Sequence, residues 1–573
     1  MNGIITQCIT SKIQEDEKET IFSGSAVGTL FHGIFSCSDD TTDPIEGGGE
    51  GGGNGETSVV LTRSEAEALS NAVYGPLQTL SSSYTFLVES ATETTISFEE
   101  VDDSKDGPQV SIFETTPSNW YAIKVFNRLY KSIGAANLAI EQIGAAEVNE
   151  SLSEANKDLF VARSYFIRGY NYFQLVQLYG EVPLILPSDN SDYTRASIDE
   201  VYTQIVADLT QAYDDLPAFD SNKSNPSQGA VNTILAKVYL TWGQHPLTQE
   251  EVAAIAGGTT DPGKPSVDAD KLEKAVEYAN KVIDSGHYQL LDDYNNLWGV
   301  INENNAEVIF SINHEGDGID AQGNHQTHCG FTWPKSPRTD PHLSYADITL
   351  EDRIPSDYDG RKLYSYATRI EYTDGVVDTL TWPVSIVRPG KWIHRATDGT
   401  HRAVDEQPNN IDHIDFRYAE VLLIKAEALF FSGKASEALP LINQLRERAF
   451  GGHYEHGGRL TEITEEVLYN EWDYEFAQEQ KSWTNLVRWR TLLSQVKNTV
   501  PHYEYYKSEY ASAESIKAAF PEVATVVNAA FYARVHKHLR AKVDNLDGRL
   551  YRFPIPLSED YTSLGITPQN PGY

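Results

Sequence analysis

The feature that most constrains the fold is a series of long amphipathic segments whose apolar residues recur three and four positions apart. In residues 119–143, Phe126, Leu129 and Ile133 follow this spacing, which places them on one face of a helix. Comparable helices are predicted at 156–180, 196–217, 229–243, 268–286, 415–449 and 464–496. The last of these segments is expected to close the helical part of the chain.

Successive helices of similar length predict a helical-repeat architecture. The segment 415–449 breaks at Ser432-Gly433 and has alanines where two helices would approach closely, so it is typical of a tetratricopeptide unit. We therefore predict a mainly α fold, a tetratricopeptide-like array of helical pairs with a loop-rich insertion that carries short strands.

The insertion is predicted at residues 307–416, which are rich in Gly, Pro, Asp, Thr and aromatic residues and show no sustained helical period. Residues 307–312, EVIFSI, are expected to form a strand. A long irregular segment inside a folded domain is either disordered or functional. The aromatic content favours a functional loop region.

Composition and charge exclude several classes of function. The chain of 573 residues has a formal net charge of −38, which repels phosphate backbones and makes nucleic acid an unsuitable partner. No run of apolar residues is long enough for a transmembrane helix. The three cysteines, Cys8, Cys37 and Cys329, form neither a disulfide framework nor a zinc-binding pattern.

The amino terminus divides into two segments ahead of a single large domain at 58–573. Residues 1–36 form an anomalous leader: an acidic stretch precedes a weakly apolar segment, so it is a misread start, a poor signal peptide or a tag. Residues 37–57, CSDDTTDPIEGGGEGGGNGET, form an acidic, glycine-rich tether.

The sequence carries no convincing catalytic or metal motif. Acidic doublets such as Asp102-Asp103 are expected by chance in a chain with 83 acidic residues, and they do not establish the carboxylate pair of a glycosidase. His325, His328 and Cys329 lie close in sequence, but a second group of zinc ligands is lacking, so we interpret them as polar loop residues. No cofactor is predicted, and a structural calcium ion is left open without a motif for it.

Aromatic residues in the insertion suggest ligand binding by stacking. A sugar ring lies flat on an indole while its hydroxyl groups bond to polar side chains. The tryptophans expected in the helical core are Trp120, Trp242, Trp298, Trp472, Trp483 and Trp489. The residues predicted to contact a ligand are Trp333, Trp382, Trp392 and Tyr345, with Arg338, Asp340 and Asn324 as polar companions.

Five segments, in this order along the chain, resemble the SusD/RagB family: ARSYFIRGYNYFQLVQLYGEVPLI, IDEVYTQIVADLTQAYDDLP, GAVNTILAKVYL, FRYAEVLLIKAEALFFSGKASEALPLINQLRERA and RLYRFPIPLSEDYTSLGITPQNPGY. The resemblance extends over nearly the whole chain from about residue 58. Near the last helices the family usually reads E-R-x-x-E-L. Here WDYEFAQEQKSWTNLVRW keeps only Glu475, Leu486, Arg488 and Trp489 of that region.

The resemblance implies a cell-surface lipoprotein of the Bacteroidetes outer membrane. Such proteins cap a SusC-like TonB-dependent transporter and capture an oligo- or polysaccharide for it without cleaving it. Cys37 would then be the lipid-modified first residue of the mature protein, and Ser38, Asp39 and Asp40 would resemble an acidic surface-export signal. The tether would have a mean reach of about 25 Å.

The resemblance also adds a second stretch to the predicted binding site, residues 81–118, with Glu93 and Phe98 as weaker candidates for ligand contact. A different function stays open at this point. Helical-repeat arrays bind peptides in grooves, so the chain could be a transporter-associated helical scaffold that binds a peptide or another non-glycan nutrient.

Overall fold

The computed structural model describes most of the chain from residue 59 onward. The described residues are 59–96, 106–188, 190, 192–264, 266–314, 346–347, 354–367, 369–372, 377–379, 388–391, 401–403, 411–508, 529–557, 566 and 568–573. The predicted leader and tether lie outside these ranges, so their boundaries stay predictions.

Helices dominate the described residues, and the fold is mainly α and tetratricopeptide-like, as predicted. The helices are α1 (Arg63–Asn71), α2 (Tyr74–Ser90), α3 (Asp106–Ser111), α4 (Trp120–Ala145), α5 (Glu154–Tyr179), α6 (Ile198–Tyr213), α7 (Gln228–Gly243), α8 (Gln249–Ile255), α9 (Ala269–Asp284), α10 (Gly360–Ser365), α11 (Tyr418–Phe431), α12 (Ala435–Phe450), α13 (Glu465–Phe476), α14 (Ser482–Trp489), α15 (Leu492–Ser508) and α16 (Ala529–Asp544).

The long helices pack on one another in sequence order and share one large apolar core. Helix α4 packs against α2 and α5, α5 against α6, and α7 against α9. Helix α9 also contacts α11, which packs against its hairpin partner α12. A capping box starts α6: the Ser197 hydroxyl accepts from the Glu200 N–H, and the Glu200 side chain accepts from the Ser197 N–H.

Short strands accompany the helices. They are β1 (Thr95–Ile96), β2 (Val182–Pro183), β3 (Arg195–Ala196), β4 (Val308–Ile312), β5 (Ala346–Asp347), β6 (Tyr366–Ala367), β7 (Arg369–Tyr372), β8 (Val377–Thr379), β9 (Arg388–Pro389), β10 (His401–Ala403) and β11 (His413–Arg417). The predicted strand at 307–312 is confirmed as β4, which pairs antiparallel with β11.

The predicted start of the 415–449 hairpin was wrong. Residues His413–Arg417 form β11, and the helix begins at Tyr418. Extended backbone at Arg417 (φ −138°, ψ 161°) lets this side chain reach buried carboxylates beside β4 while the next residue starts α11. The break at Ser432-Gly433 is confirmed, because Gly433 adopts φ +75° between α11 and α12.

The predicted end of the helical part was also wrong. Residues 464–496 contain α13, α14 and the start of α15 instead of one continuous helix. Left-handed backbone at Gln478, Gln480 and Arg490 separates these helices. Helix α16 follows beyond residue 496, and it packs against α15.

The carboxyl-terminal QNPGY segment is docked on the helical array. The Asn570 amide donates to the carbonyl oxygens of Tyr179 and Phe553 at 2.9 and 2.7 Å, and it accepts from Arg195 at 2.6 Å. The Gln569 side chain bonds to both the N–H and the carbonyl oxygen of Ile555. The QNPGY segment is therefore held on the domain by hydrogen bonds to the end of α5 and to Phe553 and Ile555.

A search of the described residues for membrane-spanning helices found none with sufficient length and apolar character.

Candidate ligand-binding site

All but one of the predicted ligand-contact residues lie outside the described residues. These are Trp333, Trp382, Trp392, Tyr345, Arg338, Asp340, Asn324 and Phe98. Their roles stay predictions, as does lipidation of Cys37. The structure does, however, describe the surfaces to which these segments are attached.

A short strand pair joins the two stretches that the sequence predicted to bind ligand. In β1 and β5, Thr95 is paired with Asp347 and Ile96 with Ala346 in an antiparallel register. Strand β1 belongs to the stretch 81–118, and β5 belongs to the insertion. Two regions about 250 residues apart in sequence therefore meet at this β1–β5 junction, where they can contribute to one surface.

Helix α16 forms hydrogen bonds to the segment that ends in β1. The buried Lys542 ammonium donates to the carbonyl oxygens of Thr92 and Thr95, the latter at 2.5 Å. One turn earlier, the His538 Nε2 lies 2.9 Å from the Ser111 hydroxyl at the end of α3. Burial, with a smaller contribution from Lys542, lowers the pKa of His538 to about 3, so the imidazole is neutral at physiological pH.

Glu93 lies just before the junction and faces the protein interior. Its side chain is 1% exposed, and its Oε1 accepts a hydrogen bond from the Gln495 amide of α15 at 3.1 Å. A ligand at the surface does not reach the carboxylate in this arrangement. Glu93 is therefore buried and hydrogen-bonded to α15, and its role in ligand contact stays a prediction.

Trp120 is exposed, which corrects its prediction as a core residue. The indole is 49% exposed at the first position of α4, and the Lys124 ammonium lies 4.4 Å from the ring centroid. The buried positions of α4 begin at Ala122 and Val125, so Trp120 lies outside the apolar stripe. An exposed indole provides the flat apolar face that stacking on a sugar requires.

The other core tryptophans behave as predicted. Trp298, Trp472, Trp483 and Trp489 are buried, and Trp242 packs partly buried against the main core. Among these side chains the sequence-based assignment to the core was correct. The apolar stripe of α4, counted from Ala122 in steps of three and four, was the signal that could have separated Trp120 from them.

A cluster of buried ions attaches the insertion to α12 and α13. Its centre is Arg417, whose guanidinium donates to the carboxylates of Glu307, Glu475 and Glu479 and to the Glu475 carbonyl oxygen, all at 2.6–2.9 Å. We call this group the ion cluster. Its members are Arg361, Lys391, Arg417, Arg446, Arg448, Glu307, Asp359, Glu471, Glu475 and Glu479, five cations and five carboxylates, all of them buried.

Burial and neighbouring charges shift the pKa values of several members of the ion cluster. Burial alone would lower the pKa of Arg417, but Glu479 and Glu475 raise it well above its ordinary value. Burial alone would raise the pKa of Glu475, but Arg448, Arg417 and Arg361 hold it well below its usual range. In contrast, burial outweighs the Glu479 charge at Lys391 and lowers its pKa to about 8.

Two separate points of the insertion enter the ion cluster. Arg361, in α10, donates to Asp359 and to the Glu471 carboxylate, the latter at 2.8 Å. Lys391 donates to the Glu475 carbonyl oxygen at 2.9 Å and to the Glu479 carboxylate at 2.6 Å. We call β4, β11, Asp359, Arg361 and Lys391 together the foot of the insertion.

Two family models match different parts of the chain. The model described as "Starch-binding associating with outer membrane" matches residues 67–240, and the model described as "SusD family" matches residues 378–573. The chain belongs to the SusD/RagB family.

Relatives within the SusD family have low sequence identity to this chain but match about two thirds of its length. The starch-binding protein SusD of Bacteroides thetaiotaomicron is 26% identical over 443 residues, 67% of this chain and 73% of that protein. The SusD-like protein P2 of Formosa agariphila is 26% identical over 413 residues, 66% of this chain and 74% of that protein. The structure of surface glycan-binding protein A from Bacteroides fluxus shares the fold, with a TM-score of 0.64 at 19% identity over 89% of this chain and 100% of that one.

The SusD-family residues kept near the last helices have structural roles here. Glu475 lies in the ion cluster. Arg488 donates to Asn485 at 2.9 Å and to Gln244 at 3.1 Å, and the Trp489 indole N–H donates to Glu427 at 3.0 Å. Arg488 and Trp489 therefore fix α14 against α11 and against the residue that follows α7.

Proposed function

We propose that this SusD-family chain is a non-catalytic cell-surface protein that binds a nutrient glycan and passes it to a SusC-like TonB-dependent transporter. The β1–β5 junction supports this location of the binding site, because it joins the two stretches predicted to bind ligand. The class of ligand is supported by the matched description of starch-binding proteins and by the names of the starch-binding and glycan-binding relatives.

The chemistry of the proposed site is stacking combined with polar contacts. Trp333, Trp382 and Trp392 supply indole faces in the insertion, and Arg338, Asp340 and Asn324 supply hydrogen-bonding groups for sugar hydroxyls. The ion cluster supports this proposal, since it fixes the foot from which these segments extend.

The proposal places the protein at the outer membrane through a lipid on Cys37, with the tether allowing the domain to move relative to the transporter. The matched description of outer-membrane association supports this location. Mass spectrometry of the native protein from the membrane fraction tests the anchor, and an unmodified Cys37 in the mature chain contradicts it.

A glycan-binding experiment tests the function. The purified domain, residues 58–573, is titrated with a panel of soluble polysaccharides. We expect Trp333→Ala, Trp382→Ala or Trp392→Ala to weaken binding of the preferred glycan by about tenfold or more, because a stacked aromatic residue is a typical hot spot.

Phe219→Ala is the matched control. Phe219 is an exposed aromatic residue that contacts His287 and Tyr288, and all three residues are far from β1 and β5 in the sequence. It should leave glycan affinity unchanged. Binding of peptides without any binding of glycans favours the scaffold function instead. Release of new reducing ends during incubation with polysaccharide contradicts the non-catalytic assignment.

A further inference from the structure

A glycine-bounded turn after α12 brings together three side chains with metal-binding donor atoms. The turn has the sequence GGHYEHGG, residues 451–458. In it, one donor atom each from His453, Glu455 and His456 lies within 4.8 Å of the other two. The three side chains are exposed, so an ion and its water ligands can reach them from solvent.

The separation of the donors is close to that in a metal site. The His456 Nε2 lies 3.3 Å from the Glu455 Oε1. Two ligands of a tetrahedral zinc ion are about 3.3–3.4 Å apart, as calculated from bond lengths of about 2.0–2.1 Å. Small side-chain rotations are sufficient to bring the His453 imidazole to the same ion, because its donor atom is already within 4.8 Å.

The backbone of the turn is held by the ion cluster. The Arg446 guanidinium donates to the carbonyl oxygens of Gly457, at 2.7 Å, and Gly458, and the same guanidinium contacts Glu471. Within the turn, the His456 N–H donates to the His453 carbonyl oxygen at 2.9 Å, which places the two histidines one helical turn apart. A fixed backbone lowers the entropy lost when the side chains bind an ion.

Tyr358 of the insertion restricts the two imidazole rings. Its ring is stacked on His456, with centroids 4.5 Å apart and planes at 20°, and its centroid is 4.9 Å from that of His453. An ion bound by both histidines would therefore also fix the rings against which this part of the insertion packs.

We propose that His453, Glu455 and His456 form a binding site for a divalent transition-metal ion, with zinc as the best match. Two imidazoles and one carboxylate suit zinc better than calcium, which prefers oxygen ligands. Water completes the coordination. The negative charge of the protein, −38 in total, also favours accumulation of cations near this exposed turn. The site is independent of glycan binding.

Titration with Zn²⁺ tests the proposal on the untagged protein, because an affinity tag of histidines would itself bind the ion. Calorimetry should show one equivalent of Zn²⁺ bound. We expect His453→Ala and His456→Ala each to weaken this binding by at least about tenfold, since the loss of even an outer-shell partner costs about 10- to 100-fold. Glu455→Gln should weaken it less than either histidine variant. Because all three side chains are exposed, circular dichroism should show an unchanged fold in each variant.

A second pair of histidines close in sequence, His325 and His328, provides the control. The double variant His325→Ala/His328→Ala should bind Zn²⁺ with unchanged affinity. Co²⁺ titration should give d–d absorption bands in the wild-type protein and not in His453→Ala/His456→Ala. Absence of stoichiometric binding in the wild type, or unchanged binding in His453→Ala/His456→Ala, overturns the proposal.

Discussion

The helical array and the foot of the insertion are both buried, but different forces hold them. Between α4 and α5 apolar and aromatic contacts are extensive, such as the edge-to-face packing of Phe126 on Tyr179 with centroids 5.0 Å apart, and isolated hydrogen bonds such as Arg168 to Asn137 accompany them. At the foot, the contacts with α12 and α13 are ion pairs centred on Arg417. Apolar packing is non-directional, whereas charged hydrogen bonds fix position and orientation.

This difference is consistent with what each region has to do. In the array, isolated ion pairs such as Arg168 with Asp208 lie within extensive apolar contacts. The insertion is proposed to present aromatic and polar groups to a ligand, and this role would require a fixed attachment to the helices. The five cations and five carboxylates of the ion cluster provide this attachment, although burying each of them costs desolvation free energy.

The largest expected effect comes from breaking the centre of the ion cluster. Arg417→Met leaves Glu307, Glu475 and Glu479 buried without their central cation. We expect a loss of about 3–5 kcal/mol in the free energy of unfolding, because removing one partner of a buried ion pair leaves an uncompensated charge. Urea unfolding monitored by tryptophan fluorescence measures this loss.

An exposed ion pair provides the matched control. Lys274 lies 2.8 Å from Glu277 on the surface of α9, and Lys274→Met should leave the free energy of unfolding nearly unchanged, because an exposed ion pair is well solvated. If Arg417→Met and Lys274→Met both changed the free energy of unfolding only slightly, the buried ion pairs of the foot would stabilise the protein no more than an exposed pair does.

A smaller and more local effect is expected at the edge of the ion cluster. Lys391→Met removes the donor to Glu479 and to the Glu475 carbonyl oxygen, but Glu479 keeps its contacts with Arg417. We expect a loss of about 1.5–3 kcal/mol in the free energy of unfolding, typical of hydrogen bonds to charged groups. Hydrogen exchange should increase at residues 388–391 before it increases in α4 or α5.

Lys391→Met also tests the link between the foot and binding. The next residue, Trp392, is a predicted ligand contact, so glycan affinity should fall together with the protection of residues 388–391. Lys281→Met, at an exposed pair with Glu277, should change neither quantity. Unchanged glycan affinity in a variant whose insertion exchanges faster would separate the ion cluster from ligand binding.

The sequence predicted the array well because its signals are local. Apolar spacing placed α4 to α7 and α9 within a few residues of their observed ends, and the turn at Gly433 was recognisable. Helix α16 was missed, although Phe531, Val535, Leu539 and Val543 recur at four-residue spacing in its basic sequence.

The foot could not be predicted in the same way, because its contacts are not local. Arg361 and Glu471 are 110 residues apart in sequence, and so are Arg417 and Glu307. Charged residues are common on helix surfaces, so no spacing marks these as buried. The same limit applies to β1 and β5, which are two-residue strands defined only by each other.

The smallest expected effect concerns Glu303, a carboxylate beside the foot that has an acidic neighbour, Asp412. Burial, with the charge of Asp412, raises the pKa of Glu303 to about 7, although the Asp412 N–H donates to it at 3.0 Å and opposes the shift. Between about pH 4.5 and 7 the folded protein keeps a proton that the unfolded chain has lost, so this group reduces stability as the pH rises. Glu303→Gln should therefore raise the melting temperature by about 1–2 °C at pH 8 and leave it nearly unchanged at pH 5.

The exposed Glu273→Gln serves as the control and should show no such dependence on pH. Equal shifts at both pH values would show that the effect of Glu303→Gln comes from packing and not from its charge.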